Sequence, residues 1–452
     1  METEASEVPP TGTPRTPRQP FFRRQSSFFF TGEPPINGDA LGALLATAIA
    51  SGTAAALGTA AVFSAWVQRM RPPILHYSPT PGNEALLRAM PMLLRTYVPN
   101  LLAWNAHAAG FFGYVKLPSR APRAKRELVT LPDGGTIALT WSSEPHDGGV
   151  IIVLFPGINN PSEMPYIRHL SDVLHREGLG HVAAVDWRGL GGQELRAVSG
   201  TPKPYSAAAW PDVGSILAHL RARSPGSRIF AVGWSMGGGM LLRHMGEAGE
   251  ACVLSGAMAV SPLIDMISNY EHMGSRLINK IYLPIITGPL LAYLFRHRRA
   301  LAHGPRRISF WSDVLPALRE RHGLDDFIYG PLWGLSGKEE YWRVASARPY
   351  LGAIRCPTLV VHSEDDPICP VAAMPLDVMA ANPHLFTAIT RHGGHMGYTA
   401  GLSPLTHTWT DRLLVHFLRH LEARSKAAQH GGLPTPTPTA HQPPIFGLPS
   451  RL

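Results

Sequence analysis

The sequence predicts an α/β fold with a mostly parallel central sheet, helices on both faces and an inserted helical lid. Three observations carry this reading. Apolar runs at 150–155 (VIIVLF), 181–185 (HVAAV), 229–232 (IFAV), 253–260 and 357–361 (PTLVV) are nearly continuous, not alternating. That is the pattern of parallel strands buried on both faces. Helical stretches such as 164–176 and 210–223 separate several of these runs, and strand, helix, strand in series argues a doubly wound sheet. Finally, about a hundred residues lie between the run ending at Val260 and the one starting at Pro357, far beyond a simple crossover. That interval reads as the lid.

Composition sets the limits. The chain has 452 residues, 45% of them hydrophobic, enough for a large core. Three cysteines, Cys252, Cys356 and Cys369, lack disulfide-framework, CxxC or zinc spacing and fit a reduced compartment. Asn160-Pro161-Ser162 is no glycosylation site because of its proline. A net charge of +9 raises nucleic acid as a partner, but the arginines are scattered and no zinc-finger, helix-turn-helix or RNP-like pattern is found. No nucleic-acid partner is therefore expected, and a cationic patch facing anionic lipid fits the charge better. No metal or nucleotide cofactor is expected either, since H-E-x-x-H, P-loop and strand-linked G-x-G-x-x-G motifs are all missing.

The organisation reads as follows. Residues 1–40, rich in Pro, Ser, Thr and Arg, are expected to be disordered. Residues 41–67 carry no charge and exceed the roughly 20 apolar residues a bilayer core requires, so a single-pass N-terminal anchor is expected there. Ala, Gly and Thr dominate the run, and an Ala-rich helix buried against protein is the alternative. Arg69 and Arg71 follow it while Glu33 and Asp39 precede it, which places the following domain on the cytosolic side. Residues 68–125 look helical and then linker-like. Segments 126–262 and 346–423 form the core, 263–345 the lid, and 424–452 a disordered Pro-rich tail. The terminal Ser450-Arg451-Leu452 resembles the S-K-L peroxisomal address, a competing localisation.

The chemistry centres on Gly233-Trp234-Ser235-Met236-Gly237, a G-x-S-x-G motif directly after the IFAV strand and before a helix-forming stretch at 238–247. A strand-to-helix turn this tight needs Gly233 and Gly237 beside the serine and lifts its hydroxyl above the sheet. A serine becomes a nucleophile when a histidine takes its proton and a carboxylate orients that histidine. PTLVV runs into Asp365-Asp366-Pro367; Asp366 is the expected acid and Asp365 the runner-up, in a turn-capping role. After a strand at 386–390 comes Arg391-His392-Gly393-Gly394-His395; His395 is the expected base and His392 a structural residue. An oxyanion hole needs two backbone N–H groups. Met236, after the nucleophile, and Ile158, in the loop after VIIVLF, are the expected donors.

Together these pieces resemble the type 4 α/β-hydrolase family, which includes the α/β-hydrolase-domain proteins 1, 2 and 3 and the plant embryogenesis-associated hydrolases. The likeness spans roughly 79–418. It rests on FPGINN at 155–160, WRGLGG at 187–192, GWSMGGG at 233–239, YWRVAS at 341–346, EDDPICP at 364–370 and HGGHMGY at 392–398, in that order. Asp186 and Cys369 depart from the family pattern without touching the expected triad. The resemblance implies an α/β-hydrolase fold and a Ser-Asp-His hydrolase acting on lipid esters, often behind a membrane anchor. An alcohol O-acyltransferase using the same acyl-enzyme and a non-catalytic interaction protein are the alternatives.

Within the lid, residues 281–295 (IYLPIITGPLLAYLF) are apolar, interrupted by Pro284, Gly288 and Pro289, and too short to span a bilayer. Arginines at 296, 298, 299, 306 and 307 follow. This is the composition of an element lying at an anionic lipid surface, or of a lid helix packed on the core with a solvated basic end.

Overall fold

The computed structural model describes residues 52, 56–64, 66–68, 70–117, 125–197, 200, 202–275, 277–303, 305–320 and 322–429. Two compact units, Met1–Thr59 and Ala60–Leu452, divide the chain. The segment at 1–40 and the Pro-rich stretch at 430–452, with its Ser450-Arg451-Leu452 terminus, lie outside the described residues. Of the 41–67 run, Gly52, residues 56–64, Trp66 and Val67 are described, all helical.

Among the described residues, nine strands build one sheet: β1 (Ile74–Tyr77), β2 (Lys125–Thr130), β3 (Thr136–Trp141), β4 (Val150–Phe155), β5 (His181–Asp186), β6 (Arg228–Trp234), β7 (Gly256–Val260), β8 (Thr358–Ser363) and β9 (Leu385–Thr390). Their spatial order is β1-β9-β8-β7-β6-β4-β5-β3-β2. The six from β4 to β9 run parallel, and β1, β2 and β3 are antiparallel to their neighbours. It is an α/β-hydrolase fold. The apolar runs explain themselves through the pleat: Ile151, Val153 and Phe155 enter one core cluster, Ile152 and Leu154 the other, so β4 has no solvent face.

From β4 the chain goes to β5 on one side and, from β6 onward, builds on the other. The carboxyl ends of β4 and β6, where Phe155 faces Gly233, therefore form the point where the strand order reverses. Ligands of open α/β sheets bind in the crevice outside such a point.

Among the described residues, the main helices after β1 are α1 (Pro81–Ala89), α2 (Ala106–Tyr114), α3 (Pro165–Arg176), α4 (Pro211–Arg223) and α5 (Ser235–Ala248), then α6 (Met266–Ser275), α7 (Tyr282–Arg296) and α8 (Lys338–Ala345) in the insertion, and α9 (Leu376–Ala381) and α10 (Trp409–Gln429). The insertion lies between β7 and β8 and docks by its inner residues. Tyr293, Leu294, Leu301, Ile328 and Tyr329 are buried in the same cluster as Phe155. Tyr293 donates from its hydroxyl to Arg188 O at 3.0 Å, and His297 Nε2 lies 2.9 Å from Gly189 O. The WRGLGG motif thus receives the lid helix, and a side chain at Gly189, at φ 71°, would collide with both partners.

Three expectations are corrected. The 68–125 segment is not only helix and linker: its ILHY forms edge strand β1, paired antiparallel with β9. Four residues carry too little pattern to be read as a strand when the partner lies some three hundred residues away. The apolar lid segment is not too short to span, because a 3-10 turn at Ile278–Ile281 continues into α7 and makes a run of 19 residues, long and apolar enough to cross a membrane by length and composition. Pro284 sits in the first turn of α7, just after the 3-10 turn, and Pro289 is accommodated inside the helix. Third, the last helix continues past residue 424 to Gln429, since Arg, Lys, Ala and Gln there are good helix formers and no Gly or Pro intervenes.

Candidate active site

Ser235 is the first residue of α5, in a turn forced by the strand-to-helix reversal, with φ 50°. A positive φ is strained for a residue with a side chain, so the surroundings must hold it. The flanking glycines are steric necessities here. A Cβ at Gly237 would lie 2.3 Å from Phe155 O, and one at Gly233 would lie 2.7 Å from Gly238 Cα.

His395 enters on the loop after β9. Its Nε2 is 2.9 Å from Ser235 Oγ, and its Nδ1 is 2.9 and 3.2 Å from Asp366 Oδ2 and Oδ1. Asp366 arrives on the turn after β8. Oδ1 also accepts the N–H groups of Ile368 and Cys369, both at 2.8 Å. All three side chains are buried. A carboxylate at Nδ1 keeps the proton there, so Nε2 is left to accept from the serine hydroxyl. Burial pushes the Asp366 carboxyl up, but the His395 and His362 imidazoles and the Cys369 N–H outweigh it and hold the group below its ordinary value. The carboxyl of this candidate acid therefore favours its ionised form.

The neighbouring pair is occupied elsewhere. Asp365 is hydrogen-bonded to His392 Nδ1 and accepts Gly393 N–H and Gly394 N–H at 3.0 and 2.9 Å. His392 Nε2 lies 2.5 Å from Ala103 O. With both ring nitrogens engaged, His392 has none to offer a serine; the Asp365–His392 pair ties down the turn that carries His395.

Ile158 and Met236 both line the cavity onto which Ser235 opens. The loop that carries Ile158 is held from several sides. Tyr166 of α3 accepts from Gly157 N–H and Asn160 Nδ2, both at 3.1 Å. Trp187 donates from Nε1 to Pro156 O at 3.1 Å, and Tyr205 donates to Asn159, which sits at φ 59°. Sequence reasoning missed Tyr166. It also missed the part played by α2, whose Gly110 and Gly113 let the helix lie directly on the His395 loop: a Cβ at Gly113 would lie 2.8 Å from Met396 O. The small-residue spacing in AAGFFGY was the available signal.

Asp186, the departure from the family pattern, is structural: it accepts Ser162 N–H at 2.6 Å and faces Arg126 at 3.2 Å. Cys369 is a buried free thiol receiving Asn269 Nδ2 at 3.1 Å.

The cavity has a volume of about 630 Å³, inside the usual range of small-molecule sites. Its apolar lining comes largely from the lid, with Met266, Met273, Leu283, Ile286 and Leu290 among it, and tyrosines 205, 270, 329 and 341 form a more polar wall. A serine activated by a buried imidazole–carboxylate pair, opening onto such a space, can attack an acyl carbon whose chain lies among these side chains.

The sequence profile of the serine aminopeptidase S33 family (Hydrolase_4) matches residues 145–383, more than half of the chain. The chain belongs to this family. Curated relatives include the embryogenesis-associated protein EMB8 of Picea glauca, 25% identical over 75% of this chain and 76% of its own length. Human phospholipase ABHD3 is 25% identical over 75% of this chain and 83% of its own, and bovine monoacylglycerol lipase ABHD2 is 26% identical over 76% and 85%. Among solved structures, the Pyrococcus furiosus esterase Pf2001 is similar over 69% of this chain and 98% of its own, at 15% identity and a TM-score of 0.43.

Proposed function

We propose that this carboxylic ester hydrolase cleaves acyl esters of lipids, acylglycerols or phospholipids with medium or long chains, through an acyl-enzyme on Ser235. One observation carries the reading: the Asp366–His395–Ser235 hydrogen-bond chain meets a largely apolar, lid-covered cavity. Ser235 Oγ bonds to the acyl carbon while His395 Nε2 takes its proton; the same imidazole returns the proton to the leaving alcohol, and water then repeats the sequence to release the acid. Asp366 keeps the ring oriented and stabilises its cationic form. The N–H groups of Ile158 and Met236 receive the oxyanion, each worth about 3 kcal/mol in the transition state. The lipase and phospholipase names of two relatives support the lipid substrate.

The lid's outer side supports a membrane-facing entrance. Leu277, Ile278, Ile281 and Ile285 are exposed, Leu277 to 84%, beside Lys280. Tyr282 meets His107 at 2.7 Å, which brings this row next to α2 with its exposed Phe111. Apolar side chains edged by cations suit an anionic lipid surface. An anchor at 41–67, with the catalytic unit on the cytosolic side, would keep the chain at a bilayer.

The reading is tested on vesicles of monoacylglycerol or phosphatidylcholine, with fatty acid release measured for wild type and Ser235→Ala. Acid release by wild type alone supports it; equal release by both proteins rejects it. Added ethanol separates water from alcohol as acyl acceptor, because an ester product marks transfer. Ile281→Asp with Ile285→Asp should lower turnover on vesicles by about tenfold and leave a soluble short-chain ester unaffected.

A further inference from the structure

Away from the cavity, three potential ligands converge from two parts of the chain. His169 lies in the middle of α3, His407 in the segment before α10, and Asp411 in the first turn of α10. His169 Nε2 is 3.3 Å from His407 Nδ1 and 3.8 Å from Asp411 Oδ2, and the three ligand atoms lie within 4.8 Å of one another. Two imidazoles and a carboxylate are the donor set that zinc-like divalent ions take, at about 2.0–2.2 Å from each atom. Tetrahedral bonds of that length separate neighbouring ligands by about 3.3 Å, the spacing of the two nitrogens. The same spacing is long for a hydrogen bond between nitrogens.

We propose that His169, His407 and Asp411 form a structural site for a divalent transition metal of the zinc class, with solvent completing the coordination. The surroundings decide whether a cation is tolerated. His169 is buried, with Asp411 and Asp172 as the nearby acids and Lys116 as the nearby cation. The Lys116 Nζ donates to Pro404 O at 3.4 Å. Asp411 Oδ2 accepts Thr408 N–H at 2.8 Å. Side-chain exposures of 10% at His169 and 12% at Asp411 leave solvent a narrow approach.

The site would act as a clamp. His407 closes the segment that begins just after His395, where Thr399 bridges Thr408 and Leu117 N–H donates to Leu405 O at 3.0 Å. A metal there would fix that segment to α3, which also carries Tyr166.

The test uses the purified full chain, stripped with a chelator, dialysed against micromolar zinc chloride and analysed for metal by mass spectrometry. Wild type and Ser235→Ala should retain one zinc per chain and gain several degrees of thermal midpoint. The double variant His169→Ala/His407→Ala should retain at least about tenfold less and show no zinc-dependent gain. Asp411→Asn serves as a milder second variant should the double one fail to fold, and it should bind zinc more weakly. No zinc on wild type, or equal zinc on wild type and the variants, overturns the proposal. Loss of zinc by Ser235→Ala as well would locate the metal elsewhere and equally overturn it.

Discussion

Asp365 with His392 and Asp366 with His395 are the same two residue types, adjacent in the chain and paired across the same two loops. They differ in what lies beyond the imidazole. His395 Nε2 meets the Ser235 hydroxyl, whereas His392 Nε2 meets the Ala103 carbonyl. A carbonyl oxygen has no proton to give, so one pair can drive chemistry and the other can only hold backbone. Role is set by the third partner, not by the pair.

The sharpest way to break this contrast is to neutralise each acid in turn. Asp366→Asn should lower kcat by about 10⁴-fold, because the ring is left in the wrong tautomer. Asp365→Asn keeps Oδ1 as acceptor for the Gly393 and Gly394 N–H groups but loses the charge-assisted contact to His392, costing about 1.5–3 kcal/mol of stability, with kcat reduced no more than about tenfold. Equal kcat losses for the two variants would dissolve the distinction. His392→Gln should follow Asp365→Asn, read as a lower midpoint by calorimetry.

A smaller effect is expected at the loop that carries Ile158. Tyr166→Phe removes the acceptor of Gly157 N–H and Asn160 Nδ2. Steady-state kinetics should show kcat reduced by about tenfold at nearly constant KM, since a loosened oxyanion loop costs the transition state more than the bound substrate. A change in KM alone would argue that the loop merely shapes the pocket.

A further effect concerns pH. Burial lowers the His362 pKa to about 4, below the ordinary 6.5, with Asp366 pulling up and His395 pushing down. Between those values the unfolded chain binds the proton and the folded one does not, so folding stability rises with pH there. The contribution is complete above about pH 6.5 and is lost as pH falls through about 4, at most about 3 kcal/mol. Asp366, held below its ordinary value, adds a loss in the same direction at lower pH. In His362→Gln the midpoint should fall less steeply between pH 6.5 and 4; an unchanged slope would remove His362 from the account.

Much of the site was legible because its signals are local. The Ser235 turn needs Gly233 and Gly237 within two residues, and strand, turn and helix follow in unbroken sequence. The acid and the base each follow an apolar strand, so chain order alone brought them to one edge. Choosing between Asp365 and Asp366 was harder, since neighbours in a tight turn differ by a backbone rotation that composition does not encode. What stayed hidden depends on distant partners. β1 is four residues long and pairs with β9, Tyr166 acts on a loop through its hydroxyl tip, and His169 lies 238 positions from His407. The role of α2 was hidden for a related reason: its glycines make sense only against the His395 loop.

The most direct test of the account is a fluorophosphonate probe followed by peptide mass spectrometry of the intact chain. The account predicts one stoichiometric adduct on Ser235, absent from Ser235→Ala and strongly slowed in Asp366→Asn but not in Asp365→Asn. An adduct on another residue, or labelling that persists in Ser235→Ala, would contradict it.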